Sequence, residues 1–598
     1  MSIEETKGVE RGGFGSDATW LLGCVAVTAL AAFLRFYWLA LKPFHHDEGV
    51  NGWFLTNLYR DGVYKYDPEN YHGPTLYYIS LAFTKLLGGL DTVTVRWSVA
   101  IWGVLIVVLA LFLKRYIGRI GALTAAAMLA LSPGMVFISR YFIHEIFFVF
   151  LSLAIVVSIV FFIERRKAGP FAIGWMALLL LVSFFPTTLN LAKSISAGDP
   201  ERLTYIAIAV FAVEAVLVAF VIRMLMVWQD GRPIYLLIAS ASAALFFATK
   251  ETAFITLGTM LIAVFFVWLW RRMLAGKLVS GGKDELDDPE LNWTNFREAL
   301  GSGIDLWLVI IASALAFIYI FVLFFSSFFT YPEGVSKAFE AYAIWTKTGS
   351  RDHTDNGLLA YLNWAMKVES PIVLLSAIGT AIAFFKARHR FAMFAGLWTL
   401  GLFLAYTIIP YKTPWLALSF LLPACIIGGY AINELACSMG SLGRIAAIVL
   451  AGASFAILGY QTYDVNFVDY DAEKVPYVYA HTRREFLDMV ADIERFAVVS
   501  GMGSETAVEV VSPDYWPLVW YLRDYPKAIF HGKFFDTRTA EMIVAKKGEQ
   551  DAEAIRRYSA NYAYYASYPL RPGVELMLLV RKDLAGPEGQ EMYRIGAK

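Results

Sequence analysis

The sequence predicts an α-helical polytopic membrane protein of about thirteen transmembrane helices, with a C-terminal α/β domain outside the bilayer. Three observations predict it. The 598 residues are 58% hydrophobic and 17% charged, with a mean hydropathy of +0.54, whereas soluble domains carry about 25% charge. Apolar runs of roughly 20 residues, enough to cross about 30 Å of hydrocarbon, recur along most of the chain. After residue 460 they stop and strand-like segments take over.

The runs fall near 18–40, 97–113, 120–138, 146–163, 170–189, 203–226, 233–248, 253–270, 303–325, 371–386, 391–409, 415–435 and 444–460. Residues 1–17 form a tail of mixed charge with no small-residue cleavage site, so the first run reads as a retained anchor. The short loops sort by charge. One set carries Lys114, Arg115, Arg119, then Arg165, Arg166, Lys167, then Arg271, Arg272, Lys277, then Lys386, Arg388, Arg390. The positive-inside rule puts that set and the N-terminus in the cytoplasm of a cell-membrane protein. Loops 41–96 and 326–370 and the tail 461–598 then face outward. In the tail, VEVVSP, AIF and ELMLLV read as strands, and about 130 residues suffice for a separate core. The acidic stretch GGKDELDDPELNWTNFRE reads as a solvated cytoplasmic loop.

A net charge of +0 gives no electrostatic footprint for nucleic acid. Cys24, Cys425 and Cys437 lie in or beside apolar runs and read as small buried hydrophobes. No internal repeat argues for an inverted-repeat transporter, and the cytoplasmic loops hold no glycine-rich phosphate loop or DxD.

The chemistry concentrates on the outward side. FHHDEG places His45, His46, Asp47 and Glu48 directly after the first run. Adjacent carboxylates at a membrane boundary are costly to desolvate; they either cap a helix end or act, with Asp47 suited to general-base work. SRYFIHEIFF puts Arg140, His144 and Glu145 at the same expected depth. These residues either form structural ion pairs, with Arg140 reaching Asp47 or Glu48, or hold a divalent ion (Mg, Mn or Zn) together with His46. YHGPTLYYIS carries His72 at a turn. PYKTPWL carries Tyr411 and Lys412, where Lys412 is either a snorkelling anchor or a point charge for a lipid phosphate.

With these residues named, the membrane portion 18–460 resembles the GT-C superfamily of membrane glycosyltransferases. More narrowly it is similar to the dolichyl-phosphate-mannose protein mannosyltransferases and the lipid A aminoarabinose transferases. Asp47-Glu48 resembles their carboxylate pair at the start of the first outer loop, and His72 to Tyr78 their loop of a basic residue, prolines and an aromatic. SRYFIHE resembles their Arg-then-acid motif, and YKTPW with Pro423 their late Lys-Pro-aromatic loop. Gly73 and Thr75 depart from the family's proline pair. The HHDEG loop and the tail segment DYWPLVWYLRDY, residues 514–525, are similar to archaeal and bacterial proteins described as flippase-activity-associated.

The resemblance implies inverting transfer of a sugar from a polyprenyl-phosphate donor to a glycan, lipid or protein acceptor. It implies Asp47 as base, with Glu48 orienting it or holding a metal. His72, Arg140, Lys412 and Tyr411 would then meet the lipid phosphate, with His46, His144 and Glu145 around a metal. The alternative is a lipid-linked-oligosaccharide flippase component that binds the same headgroup without bond-making. Against it, acids and bases are sparse inside the runs, Glu214 being the main exception.

Overall fold

The computed structural model describes residues 17–70, 72–184, 186–196, 199–274, 291–349 and 357–592. The N-terminal tail through residue 16, Tyr71, residues 275–290 of the acidic loop and His353 lie outside the described residues.

Each of the thirteen apolar runs contains a helix, and the chain is a multi-pass membrane protein. Among the described residues, ten helices are long and apolar enough to cross a bilayer alone, and two bent pairs raise the number to twelve. The pairs are Arg119–Leu131 with Pro133–Ser139, bent by 58°, and Ala360–Val368 with Ser370–Lys386, bent by 108°. The thirteenth expected span is Arg232–Phe247, only 16 residues long. At 1.5 Å per residue it extends about 24 Å, short of a full crossing. It packs instead between Glu145–Ile163 and Gly303–Phe325.

Burial orders the bundle. The most apolar stretches of Pro414–Ser438 and Glu145–Ile163 are 100% and 89% buried and form its centre, whereas those of α1 (Asp17–Phe36) and Pro200–Val227 are 6% buried. The outer helices therefore present apolar side chains to lipid, which leaves helix as the only backbone able to satisfy itself there.

Three shorter elements shape one end of the bundle. These are α2 (His46–Asp61), α3 (Thr75–Leu87) and the start of α4 (Thr92–Leu111). The N-terminus of α4 is capped by Asp91, whose carboxylate accepts from the Val93 and Thr94 amides. At the 108° bend, Glu369 is fully buried and accepts from Ser132 Oγ (2.9 Å), the Gly134 amide (2.8 Å) and Tyr477 Oη (3.3 Å). One carboxylate thus joins both bent spans to the segment that leads into the tail.

The tail holds a five-stranded sheet in the order β2-β1-β3-β5-β4. Its strands are β1 (Val508–Val510), β2 (Ala528–Phe530), β3 (Met542–Lys546), β4 (Tyr562–Arg571) and β5 (Val574–Arg581). The first three are parallel, and β5 and β4 run antiparallel beyond them. Alternate residues feed two cores. Val508, Val510, Met542, Val544 and Leu578 pack under the helix Phe486–Val499, and Ile543, Ala545, Met577 and Leu579 pack with the helix Asp551–Tyr558. VEVVSP, AIF and ELMLLV lie on β1, β2 and β5. The strands β3 and β4 carry weaker alternation, because β3 is buried on both faces.

Candidate functional site

α2 starts at HHDEG because His45 caps it. His45 Nδ1 accepts the Asp47 amide (3.1 Å), and Glu48 Oε2 reaches back to the His45 amide (3.0 Å), a reciprocal capping box. Glu48 is fully buried, and its remaining capacity goes to Arg96. Arg96 Nε donates to Oε1 (2.8 Å) and Nη2 to Oε2 (2.6 Å), and the Phe142 amide also meets Oε1 (2.8 Å). Four donors fill the four lone-pair positions of the carboxylate. Arg96 further ties the α1–α2 connection through the carbonyls of Leu39, Lys42 and Pro43.

Asp47, one residue earlier, points elsewhere. Its side chain is 39% exposed, and Tyr141 Oη reaches Oδ2 at 3.4 Å. Tyr141 also contacts His45 Nδ1. His45 Nε2 lies 3.0 Å from the Tyr479 carbonyl, which accepts only if Nε2 carries the proton. The Asp47 amide donates to Nδ1, so Nδ1 presents a lone pair and acts as an acceptor. Burial, then the charges of Asp47, Glu48 and Glu145, push the Tyr141 phenol well above its ordinary value, so it stays a donor. Around this group stand Trp415, with ring centroids 6.5 Å from His45, 6.4 Å from Tyr141 and 5.9 Å from Tyr479.

Trp415 also lines a pocket of about 680 Å³ with Pro68, His72, Lys250, Glu251, Thr252, Trp345, Tyr406 and Tyr411. Gly73, two residues before α3, explains how His72 gets there. A Cβ on Gly73 would lie 2.0 Å from the Ala248 carbonyl oxygen, so only glycine lets this loop rest on the 248–252 turn. His72 Nδ1 then meets Glu251 Oε2 at 3.2 Å, and Lys250 Nζ is ion-paired with Glu145. His144 Nε2 lies 3.0 Å from the Gly73 carbonyl, and its ring stands 5.0 Å from that of His72.

Of the expected residues, the structure places His72 and Tyr411 at the pocket, and Asp47 beside His45 and Tyr141, which pack on Trp415. Three others have different work. Glu48 cannot orient Asp47 or bind a metal, since Arg96 and two amides saturate it. Arg140 does not pair with Asp47 or Glu48: Nη1 donates to the carbonyls of Leu34 (3.0 Å) and Tyr37 (2.5 Å), and Nη2 to Trp38 (2.9 Å). A cation there satisfies the open carbonyls at the end of α1. Lys412 Nζ likewise donates to the carbonyls of Tyr406 (3.2 Å), Thr407 (2.7 Å) and Ile409 (2.8 Å) at the end of Arg390–Ile408. That leaves none of its three protons for a lipid phosphate.

The expected metal set does not fit either. Glu145 is neutralised by Lys250, and His46 lies away from His144, against Trp516 (ring centroids 6.2 Å). Among the described residues no group of three or more His, Cys, Asp or Glu is placed to hold an ion.

Sequence reasoning missed Arg96, Tyr141 and the pocket role of Lys250. Lys250-Glu251 sits as a charged pair at the end of an apolar run, which is the signal that could have found it. Arg96 and Tyr141 carry no such signal.

Three comparisons bear on this arrangement. Residues 25–195 match the family model described as dolichyl-phosphate-mannose-protein mannosyltransferase. No curated protein matches the chain in sequence. Among solved structures, ArnT from Cupriavidus metallidurans in the apo state is similar at 13% identity and a TM-score of 0.58, covering 96% of this chain and 100% of that one. The same enzyme bound to undecaprenyl phosphate is similar at 13% identity and a TM-score of 0.55, with the same coverage. The archaeal oligosaccharyltransferase AglB from Archaeoglobus fulgidus, in complex with an inhibitory peptide and a dolichol-phosphate, is similar at 11% identity and a TM-score of 0.50, covering 97% and 78%. At such identity the likeness shows the fold. The chain has the GT-C fold, the fold class expected from its sequence.

Proposed function

We propose that this GT-C chain is a glycosyltransferase that moves a sugar from a polyprenyl-phosphate-linked donor to an acceptor on the extracytoplasmic face of the cell membrane, with Asp47 as general base. One observation carries the reading: Trp415 lines the pocket that holds Lys250 and His72, and also packs on the residues that frame Asp47. A donor phosphate between Lys250 and His72 would present its sugar past Trp415 toward Asp47. The undecaprenyl phosphate bound to ArnT and the dolichol-phosphate bound to AglB support a lipid phosphate as leaving group on this fold.

The chemistry then divides among the chain's own residues. Asp47 takes the proton of an acceptor hydroxyl as that oxygen attacks the anomeric carbon. The bond from the anomeric carbon to the phosphate oxygen breaks, and polyprenyl phosphate leaves with the bonding pair. Lys250 and His72 offset the charge that grows on it, in a pocket walled by Trp345, Tyr411 and Trp415 where such interactions are strong. Asp47 returns its proton to water through its exposed edge. The basic short loops at the opposite ends of the helices support the extracytoplasmic placement.

The test is transfer of labelled sugar from polyprenyl phosphate by the purified chain in proteoliposomes, across glycan, lipid and peptide acceptors. Label leaving the carrier lipid supports the reading. Intact donor with accelerated movement across the bilayer would replace it with the flippase alternative.

A further inference from the structure

In open sheets with parallel strands, ligands bind outside the carboxyl ends of the strands, where the strand order reverses. The tail sheet has such a point. From β1 the chain crosses to β2 on one side and then to β3 on the other, so the reversal lies between β1 and β3. The carboxyl end of β1 runs into Ser512, Asp514, Tyr515 and Trp516, and that of β3 ends at Lys546. The hairpin between β4 and β5 brings Arg571 to the same edge. There Arg571 is ion-paired with Asp514, and Lys546 bridges Asp514 (3.0 Å) and Glu549 (2.7 Å). All of these but Glu549, which is exposed, are half-buried.

This edge faces the membrane site. A Cβ on Gly49 of α2 would lie 2.8 Å from Pro517 Cα and 3.1 Å from the Trp516 ring, so glycine lets the tail seat directly on HHDEG. His46 is within electrostatic reach of Asp47 and His45 on one side and of Arg571 and Asp514 on the other. Burial, opposed by Asp47, keeps its imidazole below its ordinary value, hence neutral, with one donor and one acceptor.

We infer that the carboxyl edge of the tail sheet, formed by Asp514, Tyr515, Trp516, Lys546 and Arg571, is a binding site for a neutral carbohydrate and delivers its hydroxyl past His46 to Asp47. The chemistry selects that class. Lys546 and Arg571 both sit on the Asp514 carboxylate, so donors and acceptors lie side by side at the edge. Paired donors and acceptors suit vicinal hydroxyls, and the tilted pair Tyr515–Trp516 (5.5 Å) offers ring surface to the C–H face of a pyranose. Trp415 lines the proposed donor pocket and packs on His45 and Tyr141, whereas the tail edge meets α2 at Gly49, so the two substrates would reach Asp47 by different routes. The delivery step rests on the proposed transferase reading, whereas carbohydrate binding at the edge does not.

Two measurements on the full chain in nanodiscs separate these claims. The first is saturation-transfer NMR with neutral oligosaccharides of three to five mannose, glucose or galactose units, on the Asp47→Asn protein. We expect binding that falls at least tenfold in Trp516→Ala and in Arg571→Gln, with Trp516→Phe keeping most of it. The second is transfer to those same oligosaccharides by the protein with Asp47 intact, where Trp516→Ala and Arg571→Gln should raise the acceptor KM at least tenfold and leave the donor KM within twofold. Binding without transfer would keep the site and remove the transferase reading. Absence of binding, binding indifferent to both substitutions, or a donor KM that moves in place of the acceptor KM would each overturn the inference.

Discussion

Arg96 closes a two-pronged fork on Glu48, with Nε to Oε1 at 2.8 Å and Nη2 to Oε2 at 2.6 Å, both side chains fully out of solvent. The pair divides the HHDEG carboxylates between two tasks. Glu48 fixes the entry to α2, and Asp47 is left with an accessible carboxylate. Glu48→Gln strands a buried guanidinium and should destabilise the protein by about 3–5 kcal/mol. Leucine at both positions 48 and 96 should recover part of that loss. Thermal unfolding in detergent checks both, and a selective fall in kcat with unchanged stability would return Glu48 to the chemistry.

Tyr141 has one proton and two acceptors, His45 Nδ1 and Asp47 Oδ2. Tyr141→Phe should leave the donor KM within twofold and lower kcat roughly tenfold, a fraction of what a positioned base contributes. The groups facing Asp47 are His45, His46, Tyr141 and Tyr479. His45→Asn, which retains a cap acceptor, should be milder than His45→Ala.

The two lysines separate by partner. Lys250→Ala should lower transfer by roughly 10²–10³-fold, the scale for a group that stabilises transition-state charge, raise the donor KM, and also lower the unfolding temperature because it strands the buried Glu145 carboxylate. Lys412→Ala should lower the unfolding temperature and leave the donor KM unchanged, since its ammonium holds backbone carbonyls. Kinetics and melting curves of both variants, measured side by side, decide it.

His481 makes acid stability testable. Burial, then His45, Lys42 and Arg96, push its imidazole well below its ordinary value. The unfolded chain therefore binds more protons than the folded one below about pH 6.5, so stability is present above that pH and falls as pH drops through it. The unfolding temperature should decline from pH 7.5 to 5.5, and less steeply in His481→Asn. Equal slopes would show that the decline comes from other groups.

The spans and the site residues were unequally legible. Apolar length is a property of each run, so all thirteen helices could be read, although Arg232–Phe247 proved too short to cross alone. Partners were not legible, because a partner is a relation across the fold. Arg96 looks like an ordinary polar residue at a helix start, 48 positions from Glu48, and nothing in its neighbours marks the fork. Arg140 and Lys412 sit in motif-like strings, and the strings alone do not tell a ligand cation from one that closes a helix terminus. Asp47 and His72 were legible because glycine, proline and charge crowd their loops.

If Asp47 removes the acceptor proton, transfer depends on its carboxylate, and wild type compared with Asp47→Asn reads that dependence. Labelled sugar on polyprenyl phosphate is supplied to proteoliposomes containing wild type or Asp47→Asn, with folding verified by melting temperature and donor binding measured separately. The substitution keeps side-chain size and the exposed position, so melting and donor binding should stay close to wild type. Turnover should fall by about 10²–10⁴-fold. Undiminished transfer by Asp47→Asn would contradict the account.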